Sequence, residues 1–135
     1  MNFWHLPVPM RDLRQAIGAG ADAVYVGGAV FGARPMRRIS ERKSFCVPLI
    51  LLISMAGTYL TVNTLLKNRE LSEQLYDYLL PYYKEGLDAV IVQDMGVFKM
   101  IREMFPGMHL HASTQMTVTG PEGMKFLEDR VLPEW

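Results

Sequence analysis

The feature that most constrains this chain is an alternation of short, uninterrupted apolar runs with longer segments of helical periodicity. Four runs read as strands: Ala23–Val26, Tyr59–Val62, Ala89–Val92 and His109–Ala112. Each is closed by turn-forming or polar residues, namely Gly27-Gly28, Asn63-Thr64, Gln93-Asp94 and Ser113-Thr114-Gln115. Helical patterns lie between them. Arg11–Ile17 places Leu13, Ala16 and Ile17 on one face, and Gly18 and Gly20 end it. Leu71, Leu75, Leu79 and Tyr83 predict an amphipathic helix that Pro81 kinks or cuts short and Gly86 closes. Val97–Met104 predicts a helix with Phe98 and Ile101 inward, before a Pro106-Gly107 turn. Pro121 suits the first turn of a last helix reaching Leu127. Strands that are apolar throughout have both faces buried, the mark of a parallel sheet covered by helices. The fold class is therefore α/β. The pattern alone admits either a barrel or an open doubly wound sheet. The 135 residues would hold about half of a (β/α)₈ barrel, which needs about 250.

Charge and cysteine content narrow the function classes. There are 14 basic and 14 acidic residues. That balance gives no direct nucleic-acid signal, because a general grip on phosphates needs basic excess. The single cysteine, Cys46, makes neither an intramolecular disulfide nor a zinc or cluster site on its own. A reducing, cytoplasmic setting fits. Met1–Met10 lacks a basic stretch followed by an apolar one, so no secretory leader is expected. The ten methionines read as core fillers rather than ligands.

Residues 35–57 break the alternation. Arg37, Arg38, Arg42 and Lys43 lead into an uncharged run from Ser44 to Leu66. Alone, that run reads as a membrane helix with basic flanks. Pro48, Gly57 and the polar stretch Thr58–Thr64 stand against it. A span would also consume the strand Tyr59–Val62, so a membrane anchor over 44–66 is the weaker reading.

Five motifs carry a family resemblance. They are Gly20-Ala-Asp-Ala-Val-Tyr-Val-Gly-Gly28, Phe31-Gly-Ala-Arg34, Tyr59-Leu-Thr-Val-Asn-Thr64, Gly86-Leu-Asp-Ala-Val-Ile-Val-Gln-Asp94 and His109-Leu-His-Ala-Ser-Thr-Gln115. In this order and spacing the chain resembles the collagenase-like peptidases, peptidase family U-thirty-two, over residues 10–34 and 58–128. The resemblance implies the N-terminal half of a (β/α) TIM-type barrel with parallel strands, incomplete over residues 1–135. Family members usually begin with a strand resembling Leu-Leu-Ala-Pro-Ala-Gly, where this chain reads Phe3-Trp-His-Leu-Pro-Val8. Codons built from the last base of one codon and the first two of the next restore that peptide. Phe3/Trp4 then forces leucine and Trp4/His5 forces alanine. The same shift after Arg34 allows the family's Ala-Tyr-Ala-x-Asn-Phe loop, and before Thr58 it allows a His-Gly-Arg turn, with Met55/Ala56 forcing the glycine. Residues 1–9 and 35–57 are therefore read as translated out of frame. On that reading Cys46 carries no function. The first strand and the helix after the second would lack their proper residues. Losing one buried leucine costs about 2–5 kcal/mol of the ~5–15 kcal/mol a domain holds, so the chain is expected to fold poorly alone.

Polar residues cluster just beyond the strands, where a (β/α) barrel keeps its active site. The candidate substrate-binding residues are Gly27, Gly28, Asn63, Asp94, His111, Ser113 and Gln115. The glycines would admit a substrate to the backbone. Asn63 and Gln115 would hydrogen-bond it, and Asp94 and His111 would move protons. The same residues also suit loop turns and strand ends. His109 and His111 are expected to face opposite ways, with His111 inward by the family match. A Ser113–His111 nucleophile and base lacks an orienting acid and an oxyanion feature. The Gly18-Ala-Gly20-Ala-Asp-Ala23 stretch imitates a dinucleotide fingerprint but follows a helix and precedes a strand, the reverse of the required order.

The resemblance implies either of two activities. Many members are called peptidases, with no catalytic set evident here. Other relatives resemble iron–sulfur proteins that support hydroxylation of RNA bases or quinone precursors, with cysteines further along the chain. No metal or cofactor is assigned to these 135 residues; a cluster belongs to the full-length family protein. The expected substrate is a peptide or an RNA. The chain reads as an inactive fragment of such a protein, or as a working piece completed by a partner chain carrying the other half-barrel.

Overall fold

The computed structural model describes residues 3–6, 10–27, 31, 49–50, 52–63 and 73–130. Among these, strands β1 (Phe3–Leu6), β2 (Ala23–Gly27), β3 (Gly57–Val62), β4 (Ala89–Val92) and β5 (His109–Ala112) form one sheet. The order is β1-β2-β3-β4-β5 and every pairing is parallel. Helices α1 (Met10–Gly18), α2 (Glu73–Lys84), α3 (Met95–Met104) and α4 (Pro121–Arg130) lie between or after the strands. Neighbours in sequence are neighbours in the sheet throughout, so this part of the sheet has no order reversal of the kind that marks a doubly wound fold.

The strands form where β-branched and aromatic residues concentrate, and parity within each strand assigns the two faces. Val24 and Val26, Leu60 and Val62, Val90 and Val92, and Leu110 share one face. They form a single core with Ile17 of α1, Leu75, Leu79 and Tyr82 of α2, and Val97, Phe98 and Ile101 of α3. Phe31 seals its edge, its ring meeting that of Tyr78 edge-on at 5.0 Å. Tyr76 and Tyr83 of α2 both pack on Phe105, with ring centroids 5.3 and 5.1 Å away. The Tyr83 hydroxyl donates to the Pro106 carbonyl at 2.8 Å. The two helices are thereby joined at their ends.

Several details differ from the sequence-based expectation. β3 begins at Gly57, two residues early, because the Asp88 carboxylate accepts a hydrogen bond from the Thr58 amide at 2.7 Å. A Cβ at Gly57 would lie 3.2 Å from that of Ala23, so glycine permits this close pairing. α2 runs through Pro81 to Lys84, with Pro81 exposed and Leu79 and Tyr82 buried on either side. The apolar stripe is thus Leu75, Leu79 and Tyr82, with Tyr83 half-buried at its margin; Leu71 lies outside the described residues. α3 starts at Met95 and α4 continues to Arg130.

The membrane reading of 44–66 is overturned. Gly57–Val62 forms the middle strand, pairing with β2 and β4, and no helix among the described residues is long and apolar enough to cross a membrane. Nor do the anomalous stretches leave simple gaps where they are described. Phe3–Leu6 pairs with Ala23–Val26, and Leu49 and Leu52, both in helical conformation, are each 1% exposed in the core. Apolar residues of about the right size suffice to fill such positions.

Candidate functional site

Because the strands are parallel, their C-terminal ends share one edge of the sheet. Gly27 ends β2, Asn63 follows β3, Gln93 and Asp94 follow β4, and Ser113 follows β5. The topology therefore brings Gly27, Asn63, Asp94, His111, Ser113 and Gln115 to one rim; Gly28 and Cys46 lie outside the described residues.

The local chemistry of that rim is now specific. Asp94 is the N-cap of α3, its Oδ1 accepting from the Val97 amide at 2.9 Å. Gly96 suits the cap, since a Cβ there would sit 3.1 Å from the same oxygen. Ser113 is buried, its amide donates to the Val92 carbonyl at 2.8 Å, and its Oγ accepts from the Gln115 amide at 3.2 Å. It thereby starts a single 3₁₀ turn, Thr114–Met116, in which Gln115 is exposed. That turn ends at Thr117 with φ 58°, a left-handed conformation that is costly for a β-branched residue. Asp94 and Ser113 thus carry the loop geometry. Asn63 is half-buried.

The two histidines of β5 correct the expectation made for them. Residues two apart in a strand share a face, so His109 and His111 both lie on the side opposite the helices, and Leu110 alone of the three points into the core. His109 is exposed and His111 half-buried. Burial first, and then the neighbouring His109, hold the His111 imidazole below its ordinary pKa. The His111 ring lies 5.1 Å from that of Tyr59, tilted by 48°. Tyr59 reaches it across Ala89, the small, buried residue that pairs with both Tyr59 and His109.

Tyr25, Tyr59 and Thr61 were absent from the set expected from sequence. They share the His111 face: Tyr25 pairs with Tyr59, Gly27 with Thr61, Thr61 with Ile91, and Ile91 with His111. The signal available was strand parity with Gly27 and His111, which lay in the sequence once the register was known.

Outside the sheet, a cavity of about 510 Å³ opens between β5 and α4, with His111, Ser113 and Glu128 as polar lining and Val118, Met124 and Leu127 as apolar lining. A second of about 520 Å³ lies beside Gln93, Met95 and Phe126. No group of three or more His, Cys, Asp or Glu among the described residues converges as a metal site. With one cysteine in 135 residues, this chain by itself does not fit an iron–sulfur cluster, which thiolates hold.

A one-directional parallel α/β sheet with polar residues along its C-terminal rim is a framework that serves many activities, so sequence comparison must narrow it. The chain belongs to Peptidase family U32, whose model matches residues 9–133. It is 40% identical over 126 residues to the 23S rRNA 5-hydroxycytidine C2501 synthase of Escherichia coli, covering 90% of this chain and 18% of that protein. It is 29% identical over 118 residues to tRNA hydroxylation protein P of Escherichia coli, covering 87% of this chain and 26% of that protein. A collagenase of Porphyromonas gingivalis is 28% identical over 117 residues, covering 85% of this chain and 28% of that protein. The chain thus spans between about a fifth and just over a quarter of the length of these relatives. No solved structure matches it.

Proposed function

We propose that this chain supplies the first five strands of a (β/α) barrel in a protein that supports hydroxylation of an RNA base. The observation that carries this reading is the 40% identity to a 23S rRNA 5-hydroxycytidine synthase across 90% of the chain. The match to a tRNA hydroxylation protein supports it. The barrel reading is supported by the sequential parallel order and by helices α1, α2 and α3 packing on one face of the sheet. β1 and β5 are edges of that sheet, so further strands from more polypeptide, or from a partner chain, would close it. In the closed barrel Gly27, Asn63, Asp94, His111, Ser113 and Gln115 would ring the substrate at the C-terminal mouth. Work on RNA would suit a cytoplasmic protein.

Collagen-like peptide cleavage is the competing activity, supported by the Porphyromonas gingivalis relative. It finds less support here, since the relative of that name is 28% identical and the Ser113 Oγ serves as the acceptor that starts the 3₁₀ turn. Deleting the gene and digesting ribosomal and transfer RNA for mass spectrometry tests the choice. The expected result is loss of one oxygen from a single modified base, restored by the full-length gene. Unaltered RNA together with lost gelatin digestion would establish the peptidase reading.

Residues 1–9 and 35–57 remain, on this proposal, stretches read out of frame within one barrel domain. The start of the family match at residue 9 supports this for the first stretch. Resequencing the gene tests it: compensating single-base changes near codons 10, 35 and 57 are expected, and an unchanged sequence refutes it.

A further inference from the structure

The face of the sheet turned away from the helices carries a feature that the rim residues do not account for. Tyr25 and Tyr59 sit side by side in register on β2 and β3, and Tyr59 continues the row to His111 on β5 through a ring contact of 5.1 Å. All three are half-buried in these 135 residues, and in a closed barrel they would line the interior beneath its C-terminal mouth, where barrel active sites lie. One register step toward the C-terminal rim the sheet drops to Gly27 and Thr61. A Cβ at Gly27 would meet only the Thr61 Oγ1, at 4.0 Å, so the space above is open. The Thr61 hydroxyl donates to the Val26 carbonyl at 3.3 Å. The result is a low floor of Gly27 and Thr61, a wall of aromatic rings, and the half-buried amides Asn63 and Gln93 just beyond it.

We propose that Tyr25, Tyr59 and His111 form a stacking platform that receives one unpaired pyrimidine base, cytosine, over Gly27 and Thr61. This rests on the RNA-base reading above and assigns residues to it. Aromatic rings set on an open sheet face bind single-stranded bases by stacking, and an enzyme that modifies a base must take it out of its stack. The depressed basicity of His111 keeps its ring neutral near pH 7, which suits a stacking surface. Stacking requires no phosphate contacts, so it is compatible with a chain of zero net charge. The strand-end amides are placed to meet the hydrogen-bonding edge of a base whose face lies on the rings.

Saturation-transfer NMR on the full 135-residue chain with cytidine monophosphate tests this, with ribose phosphate as the control lacking a base. Irradiating tyrosine ring protons is expected to saturate the cytosine ring protons. Y59L and H111L should each weaken binding about five- to hundredfold, the range seen when a base loses an aromatic partner, while Y59F retains it. Circular dichroism establishes that each variant is folded. Should Y59L unfold, Y25L and H111L decide in the same way. Absence of transfer in the unsubstituted chain, wild-type affinity in the folded leucine variants, or equal binding of ribose phosphate would overturn the platform. The functional reading fails separately. Base stacking with no RNA change on gene deletion leaves the platform and removes the hydroxylation role; lost hydroxylation without stacking does the reverse.

Discussion

On the helix-covered face of the sheet, Val24, Val26, Leu60, Val62, Val90, Val92 and Leu110 are each no more than 5% exposed. On the opposite face, Tyr25, Gly27, Tyr59, Ile91 and His111 stay half-buried while Thr61 and Ala89 are buried, so aromatic, imidazole and small groups outnumber large aliphatic ones. The same strands carry both. The difference teaches that the face under the helices is filled by aliphatic volume, whereas the other mixes aromatic, imidazole and small residues. Close packing punishes any change of volume on the first face, whereas on the second the small, buried Ala89 lets Tyr59 reach His111.

The sharpest way to break this contrast is to truncate the covered side. Phe98 is 1% exposed in the core, so F98A is expected to cost about 3–5 kcal/mol. Urea denaturation measures it, and a loss below about 1 kcal/mol would mean that the core is not packed as described. Next comes the tie between the two central strands. D88A removes the acceptor of the Thr58 amide, and leaving that donor without its partner is expected to cost about 1–3 kcal/mol. D88N, which keeps an acceptor oxygen, should recover part of that. At the rim, D94A removes the N-cap of α3 and is expected to cost about 1 kcal/mol. If D94A instead left stability intact while abolishing RNA hydroxylation, Asp94 would belong to the chemistry rather than to the cap.

The smallest effect concerns acidity and acts on the open face alone. The folded pKa of His111 lies below its unfolded value, through burial and then through His109. Below the unfolded value of about 6.5 the unfolded chain binds more protons, so stability rises with pH there. The contribution is complete above that value and is lost as pH falls through the depressed folded pKa. Urea midpoints followed downward from neutral pH should therefore fall less steeply in H111L than in the unsubstituted chain. Parallel curves would remove His111 from the half-buried position given to it.

Much of the framework was legible before any coordinates. Val-Ile-Val and Val-Tyr-Val runs have few alternatives to a buried parallel strand, and Phe98 and Ile101 announce the inner face of α3 by spacing alone. The site was legible only as a rim. Asp94 and Ser113 were visible as polar residues after strands, but their hydrogen-bond partners are the Val97 and Gln115 amides, which composition does not reveal. The course of α2 through Pro81 was hidden for a related reason. Local propensity opposes it, and the buried Leu79 and Tyr82 on either side hold the helix in place.

What the sequence by itself determined is the order of elements from β2 onward, the α/β class and the set of residues that reach one edge of the sheet, because apolar periodicity and turn residues act locally; the strand β1 at Phe3–Leu6 it did not announce. Tertiary structure decided which residues meet. It placed His109 and His111 on one face, brought Tyr59 across Ala89 to His111, and set Gly27 beside Thr61. Those contacts depend on strand register. Register is fixed by pairing between segments as many as 34 residues apart, as for Gly27 and Thr61, and a slip of one residue would turn every side chain to the other face.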